Sequence, residues 1–209
     1  MTFKQATTAA IILAVTIAAT SILGVANAHN HEGEKPAMTG INVAALTLPE
    51  ITRGLEAGQF NSQDLTRAYL NRIDTIDRAG PTLNAVIAVN SSAMTLAKKS
   101  DMRRAKGEAL SPLDGVPFLL KDNIESKDRM PTTAGSTALV DNMTGRDSPL
   151  VARLRASGAI ILGKTNLSQW ANFRSSHSVS GWSAVGGLVK NPHVLDRQAC
   201  GSSSGSAAA

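Results

Sequence analysis

Lys121 closes an otherwise apolar stretch, GVPFLLKDNI (115–124), and four serines, Ser202, Ser203, Ser204 and Ser206, crowd into CGSSSGSAAA (200–209). An amine withdrawn from water loses part of its preference for the charged form, and can then serve as a base near neutral pH. A serine hydroxyl placed against such an amine can be activated without histidine. Spacing by itself leaves two readings of Lys121. In a strand, Val116, Phe118 and Leu120 share one face and Pro117, Leu119 and Lys121 the other. The amine is then either the head of a stem that lies on apolar surface and reaches water, or a desolvated base in need of a hydroxyl. The Gly/Ser run is similarly open: a flexible linker, or a rigid turn. Gly201 and Gly205 permit unusual dihedrals and close approach, and the alanines from Ala207 favour helix, which describes a rigid turn better.

A third group of residues, GAIILGKT (158–165), satisfies the pattern G-x-x-x-x-G-K-[ST] and would mark a nucleotide phosphate cradle. Such a cradle needs its middle residues in a loop, with backbone N–H groups turned to the anion. Ala159, Ile160, Ile161 and Leu162 are strand formers whose N–H groups a sheet would use, so the match is read as strand plus turn.

The elements that must carry these residues follow from periodicity and turn signals. TLPEITRGLEAGQF opens with Thr47 and Glu50 at capping-box spacing and predicts a short helix. NSQDLTRAYLNRIDTIDRAGP places Leu65, Tyr69, Leu70, Ile73 and Ile76 on one face, with Ser62 as the expected cap and Gly80-Pro81 as the stop. LNAVIAVN reads as a buried strand. The helix after it carries the pairs Lys98-Lys99 and Arg103-Arg104, expected on a solvated face. DSPLVARLRASG is a further helix with its cap at Asp147 or Ser148, and AIILGKTN a strand buried on both faces. Strands alternating with helices of this length predict an α/β fold with a largely parallel or mixed sheet.

Composition sets the setting. The first 28 residues hold one early Lys4, an apolar run from about Ala9 to Val25 and then Ala26-Asn27-Ala28, the pattern of an export signal cleaved after Ala28. An uncleaved anchor is the alternative, since the run nearly matches a bilayer. Residues 29–42 read as a polar, flexible leader and 43–209 as the folded part. Cleavage would lower the formal charge from +5 to +4. With no basic and aromatic interleaving, that mild excess speaks against a nucleic-acid partner. After cleavage no membrane association is expected. A single cysteine, Cys200, excludes an internal disulfide, and its neighbours suggest packing. His29, His31, His177 and His193 show no ligand spacing, so neither metal nor cofactor is implied.

Four collinear blocks, LDGVPFLLKDNI, GKTNLSQWANFR, SGWSAVGGLVKNPHVLDR and CGSSSGSAAA, resemble the amidase signature family, most nearly its peptide amidase branch. That resemblance spans about residue 43 to the end. It implies an α/β fold with a mixed, twisted β-sheet flanked by helices, and cleavage of an amide bond in a small amide or peptide amide by a Ser–cis-Ser–Lys triad. By position, Lys121 matches the family's base and Ser202 its bridging serine. The nucleophile and oxyanion donors belong to a Thr/Gly-rich block after the Gly/Ser tract. The 209 residues are therefore expected to be an N-terminal portion, inactive alone, with runs such as AIIL exposed at sheet edges. Two positions depart from many relatives: Gln169 for a glutamate and Cys200 for a glycine.

Overall fold

The computed structural model describes residues 40–209; the export pattern and the leader up to residue 39 lie outside them. Five helices and five strands follow one another: α1 (Leu48–Glu56), α2 (Ser62–Arg72), β1 (Val86–Val89), α3 (Ala93–Ala105), β2 (Pro117–Lys121), α4 (Pro149–Ala156), β3 (Ile160–Thr165), β4 (Trp182–Ser183), β5 (Gly187–Leu188) and α5 (Ser204–Ala208). A π-helical turn, Ile73–Asp77, prolongs α2. No helix among the described residues is long and apolar enough to cross a membrane.

The main sheet has the order β1-β3-β2, with β2 parallel and β1 antiparallel to β3. It is thus mixed, one of the two arrangements that the alternation allows and the one that the resemblance implies. β3 lies at its centre, and all six of its residues are buried. Ala159, Ile160, Ile161 and Leu162 are consequently covered on both sides, which corrects the expectation that this run would sit at an exposed edge. A central strand has neighbours for both rows of backbone groups; the sheet edges belong to β1 and β2.

Period-two alternation assigns the faces. Ile160 and Leu162 pack with Val86, Ile73, Ala93 and Ala97 beneath α2 and α3. Ile161 points the other way, to Leu120, Met130 and Val151 under α4. Val116 joins Leu55, Leu65 and Ile51 in a separate cluster against α1 and α2. These buried aliphatic side chains each contribute roughly 1.5–3 kcal/mol relative to exposure.

Helix starts are set by polar side chains. At α1 the Glu50 carboxylate accepts from the backbone N–H of Thr47 at 2.7 Å and from its hydroxyl at 2.6 Å, and these bonds hold its pKa below the usual carboxylate range. At α2 the cap is Asn61, whose Oδ1 accepts from Asp64 N at 2.8 Å, rather than Ser62. Ser62 is one residue inside, where its hydroxyl donates to Gly115 O at 2.7 Å. Asp101 of α3 meets the free N–H groups of Ser62 and Gln63 at 2.7 and 3.2 Å. Those groups have no intrahelical acceptor, so a neighbouring helix supplies one.

The basic face of α3 also needs correction. Lys98 and Lys99 are exposed, but Arg103 holds the buried Asp114 through Nε at 2.9 Å and Nη2 at 2.5 Å, and Arg104 donates to Asp114 O at 2.7 Å. Two of the four charges therefore close the loop before β2.

Candidate active site

The strand β3 ends in Lys164 and Thr165 and is followed by Asn166 and Ser168, and each of these four polar residues fastens a segment of the site. A break in register prepares it. Along β2 and β3, Phe118 pairs with Ile161 but Leu119 pairs with Gly163, so Leu162 is an extra residue. A bulge of this kind reverses which face the following side chains take. Lys164, opposite Leu120, thereby joins the α4 side, and Thr165, opposite Lys121, turns toward α5. Gly163 carries no side chain where the β1 backbone at Ala88 comes closest.

Lys121 ends β2. Its Nζ lies 2.8 Å from Ser202 Oγ, across 81 residues of sequence. Burial pushes its pKa below the ordinary lysine value, because an ammonium loses hydration there. As an ammonium it donates to Ser202. Once neutral, it offers a lone pair along the same line and can accept the serine proton. The snorkelling alternative does not describe this amine, which points at a hydroxyl.

Ser202 is held by its backbone. The Gly201–Ser202 peptide is cis, and Ser202 O accepts from Ser168 N at 3.0 Å. Gly201 packs against Ser168 Oγ and Ser180 Oγ, leaving no room for a side chain. Ser168 Oγ in turn accepts from Gly181 N at 2.8 Å. The preceding residue, Cys200, has φ +58, a conformation that favours glycine, and its side chain is exposed rather than packed.

Helix α5 is docked by Thr165 and Asn166. Asn166 O accepts from Gly205 N at 3.0 Å, and the hydroxyls of Thr165 and Ser206 lie 2.7 Å apart. The Gly/Ser tract is accordingly a fixed turn into a helix. Ser203 is exposed; Ser204 is buried and its hydroxyl has no hydrogen-bond partner among the described residues. A Cβ on Gly205 would stand 2.6 Å from both N and O of Asn166. Backbone atoms cannot yield as a side-chain tip can. We therefore expect Gly205→Ala to cost about 1–3 kcal/mol by overpacking. A thermal melt checks this, and an unchanged midpoint would contradict the docking described here.

On the opposite face stands Lys164, the lysine of the phosphate-cradle pattern. The cradle is absent: Ile160–Thr165 is strand, and Ile160 N donates to Val116 O at 2.8 Å. Lys164 Nζ instead donates to Ile124 O at 2.7 Å and Thr132 Oγ1 at 3.0 Å, and lies 3.5 Å from Asp122 Oδ1. Asp122 Oδ2 accepts from the Thr133 backbone N–H at 3.1 Å and from the Thr133 hydroxyl. Burial pushes the Asp122 carboxyl up and the Lys164 amine down, while each charge draws the other back toward its ionised form.

Beside the turn that follows Lys121 lies a cleft of about 650 Å³, walled by Asn123, Ile124, Leu139, Leu150 and Trp170 among others. Trp170, Ala171 and Asn172 all have positive φ, a sparsely populated conformation for residues with a side chain. Gln169, the residue before them, uses its amide oxygen to accept from Ala184 N at 3.0 Å.

Sequence reasoning picked out Lys121 and Ser202, which the fold brings into contact, but passed over Thr165, Asn166 and Ser168. The available signal was a wholly apolar strand running without a break into KTNLS. Polar residues continuing a buried strand must find partners, and here these are the segments of the site.

Comparison with known proteins agrees with this geometry. The family model described as Amidase matches residues 64–209. The native peptide amidase of Stenotrophomonas maltophilia is 48% identical, with a TM-score of 0.76, over 79% of this chain and 34% of that one. An amidase family protein of Bacillus anthracis is 36% identical, with a TM-score of 0.73, over 82% of this chain and 36% of its own. One chain of the glutamyl-tRNA(Gln) amidotransferase of Coxiella burnetii is 40% identical over 164 residues, 78% of this chain and 32% of the relative. The chain spans about a third of the curated relatives it matches. On the strand order, the Lys121–Ser202 contact and these matches together, the chain belongs to the amidase family.

Proposed function

We propose that this chain forms the N-terminal part of an exported amide hydrolase in which Lys121 is the general base and Ser202 the proton relay. The observation that carries the reading is the 2.8 Å contact between a partly desolvated Lys121 and Ser202. A nucleophilic serine from a downstream segment gives its proton to Ser202 Oγ as it attacks the amide carbonyl, and Ser202 passes its own proton to neutral Lys121. The C–N bond of the tetrahedral adduct then breaks, and the proton on Lys121 returns through Ser202 to the departing amine. Water hydrolyses the acyl-enzyme by the reverse relay.

A carboxamide, including the C-terminal amide of a peptide, is the substrate class supported by 48% identity to a peptide amidase. The cleft beside residues 122–124 has room for such a group. Export rests on the Lys4, apolar run and Ala-Asn-Ala pattern of residues 1–28. The same pattern favours hydrolysis over an amidotransferase role, since charged tRNA is a cytosolic substrate.

Sequencing the coding DNA past codon 209, followed by an amide hydrolysis assay of the encoded polypeptide, tests the reading. An in-frame Thr/Gly-rich block containing a serine, with amide turnover, is the expected result. A stop codon at that point removes hydrolysis from this chain and leaves a binding remnant as its description.

A further inference from the structure

Lys164 and Asp122 are an ion pair that the relay does not use, and they lie directly behind the residue it does use. Lys164 is 0% exposed and Asp122 1%. Their contacts converge on the four residues that begin at Lys121. Lys164 Nζ holds the carbonyl of Ile124, and Ile124 N donates to Lys121 O at 2.9 Å, closing the turn. Asp122 N donates to Thr165 O at 3.1 Å, and Asp122 O accepts from Ala134 N at 3.1 Å. Asp122 Oδ2 accepts from Thr133, while Oδ1 has no hydrogen bond among the described residues and meets only the Lys164 ammonium at 3.5 Å. Lys121 is the last strand residue before this clamp, and its side chain leaves on the opposite face.

We propose that the buried Lys164–Asp122 pair is a positioning unit for Lys121, fixing the 121–124 turn so that the amine is held at hydrogen-bond distance from Ser202 and away from bulk water. The assignment rests on Lys121 as the base of the proposed hydrolase and adds two residues to that site. A buried ion pair is seldom retained for stability, because desolvating two charges offsets much of their attraction; a fixed geometry is its better-attested return. Other charges bear on Lys164 as well. Glu125 and Asp128, on the loop after the turn, act on it at longer range, and Arg155 of α4 neutralises Asp128 at 2.8 Å.

The double variant Lys164→Met/Asp122→Asn removes one positive and one negative charge and keeps both shapes. The net field at Lys121 changes little, so a change in Lys121 titration reports geometry. The 209-residue chain is labelled with trace acetic anhydride across pH, and the Lys121 peptide is quantified by mass spectrometry. This readout needs no turnover, so it fails or succeeds independently of the hydrolase reading. With the turn loosened, water returns to Lys121, and its apparent pKa is expected to rise toward the ordinary lysine value. Lys164→Arg, which keeps the charge, should fall between variant and parent. A merely structural pair would lower the melting midpoint and leave the Lys121 profile of the folded protein in place. Should the double variant not melt cooperatively, Thr132→Val takes its role, deleting one oxygen from Lys164 without touching either charge. A folded variant whose Lys121 profile coincides with that of the parent, or moves down, overturns the proposal.

Discussion

Alanine at position 121 is expected to lower amide turnover by roughly 10⁴- to 10⁶-fold in the polypeptide that carries the downstream nucleophile, on the scale seen when one member of a catalytic triad is deleted. The effect should fall on kcat and leave KM nearly unchanged, because Lys121 holds Ser202 rather than the cleft wall. Ser202→Ala should be comparably severe, and the double variant little worse than either single one, since in the proposed mechanism the two residues act as one relay. The parent enzyme supplies a second readout. Only the neutral amine can accept the serine proton, so activity rises with pH through the Lys121 pKa, which burial has moved below the ordinary lysine value. Near-parental turnover of Lys121→Ala at neutral pH would remove Lys121 from the mechanism.

The second large effect is on stability. Lys164→Met alone strands the Asp122 carboxylate in a site that is 1% exposed, and breaking a buried pair in this way costs about 3–5 kcal/mol. The pH dependence of that loss has a definite sign. Burial already raises the Asp122 pKa above its ordinary value of 3.8, and removing the Lys164 charge takes away one of the influences that lowers it. A carboxyl whose folded pKa lies above its unfolded one contributes stability that is complete below the unfolded value and is lost as pH rises through the folded value. The gap in melting temperature between variant and parent should therefore be small near about pH 4 and widen toward about pH 7. A gap that stays constant over that interval would mean that Asp122 is not charged at neutral pH in the parent. Adding Asp122→Asn should recover much of the loss.

Lys121 stood out in the sequence as a lysine ending an apolar strand, but spacing left its role open, and Ser202 was set apart from the neighbouring serines only by the resemblance to the amidase signature family. The alternation of strands and helices pointed to a largely parallel or mixed sheet. The failures share a cause. Ser62 has the chemistry of a helix cap, but Asn61 is one residue earlier and takes the role, while Ser62 is drawn to Gly115 across 53 residues. Arg103 and Arg104 look solvated on a helical wheel until Asp114 is placed beside them. Lys164 carries the letters of a phosphate cradle, and only the extra residue at Leu162 shows which face it takes. In each case a contact outside the local pattern also decides, Gly115 for Ser62, Asp114 for Arg103 and the register with β2 for Lys164, and periodicity along one element does not show it.

The sequence separation of 81 between Lys121 and Ser202 also sets a schedule. At a synthesis rate of about 5–20 residues per second, Lys121 precedes Ser202 into existence by roughly 4–16 s. Until the fold buries it, that amine is hydrated like any other in an unfolded chain, because its lowered basicity comes from burial. Its altered basicity is thus a property acquired when a long loop closes, which is among the slower kinds of folding step. A nascent chain carries the lysine without its lowered basicity, which arrives only with the fold.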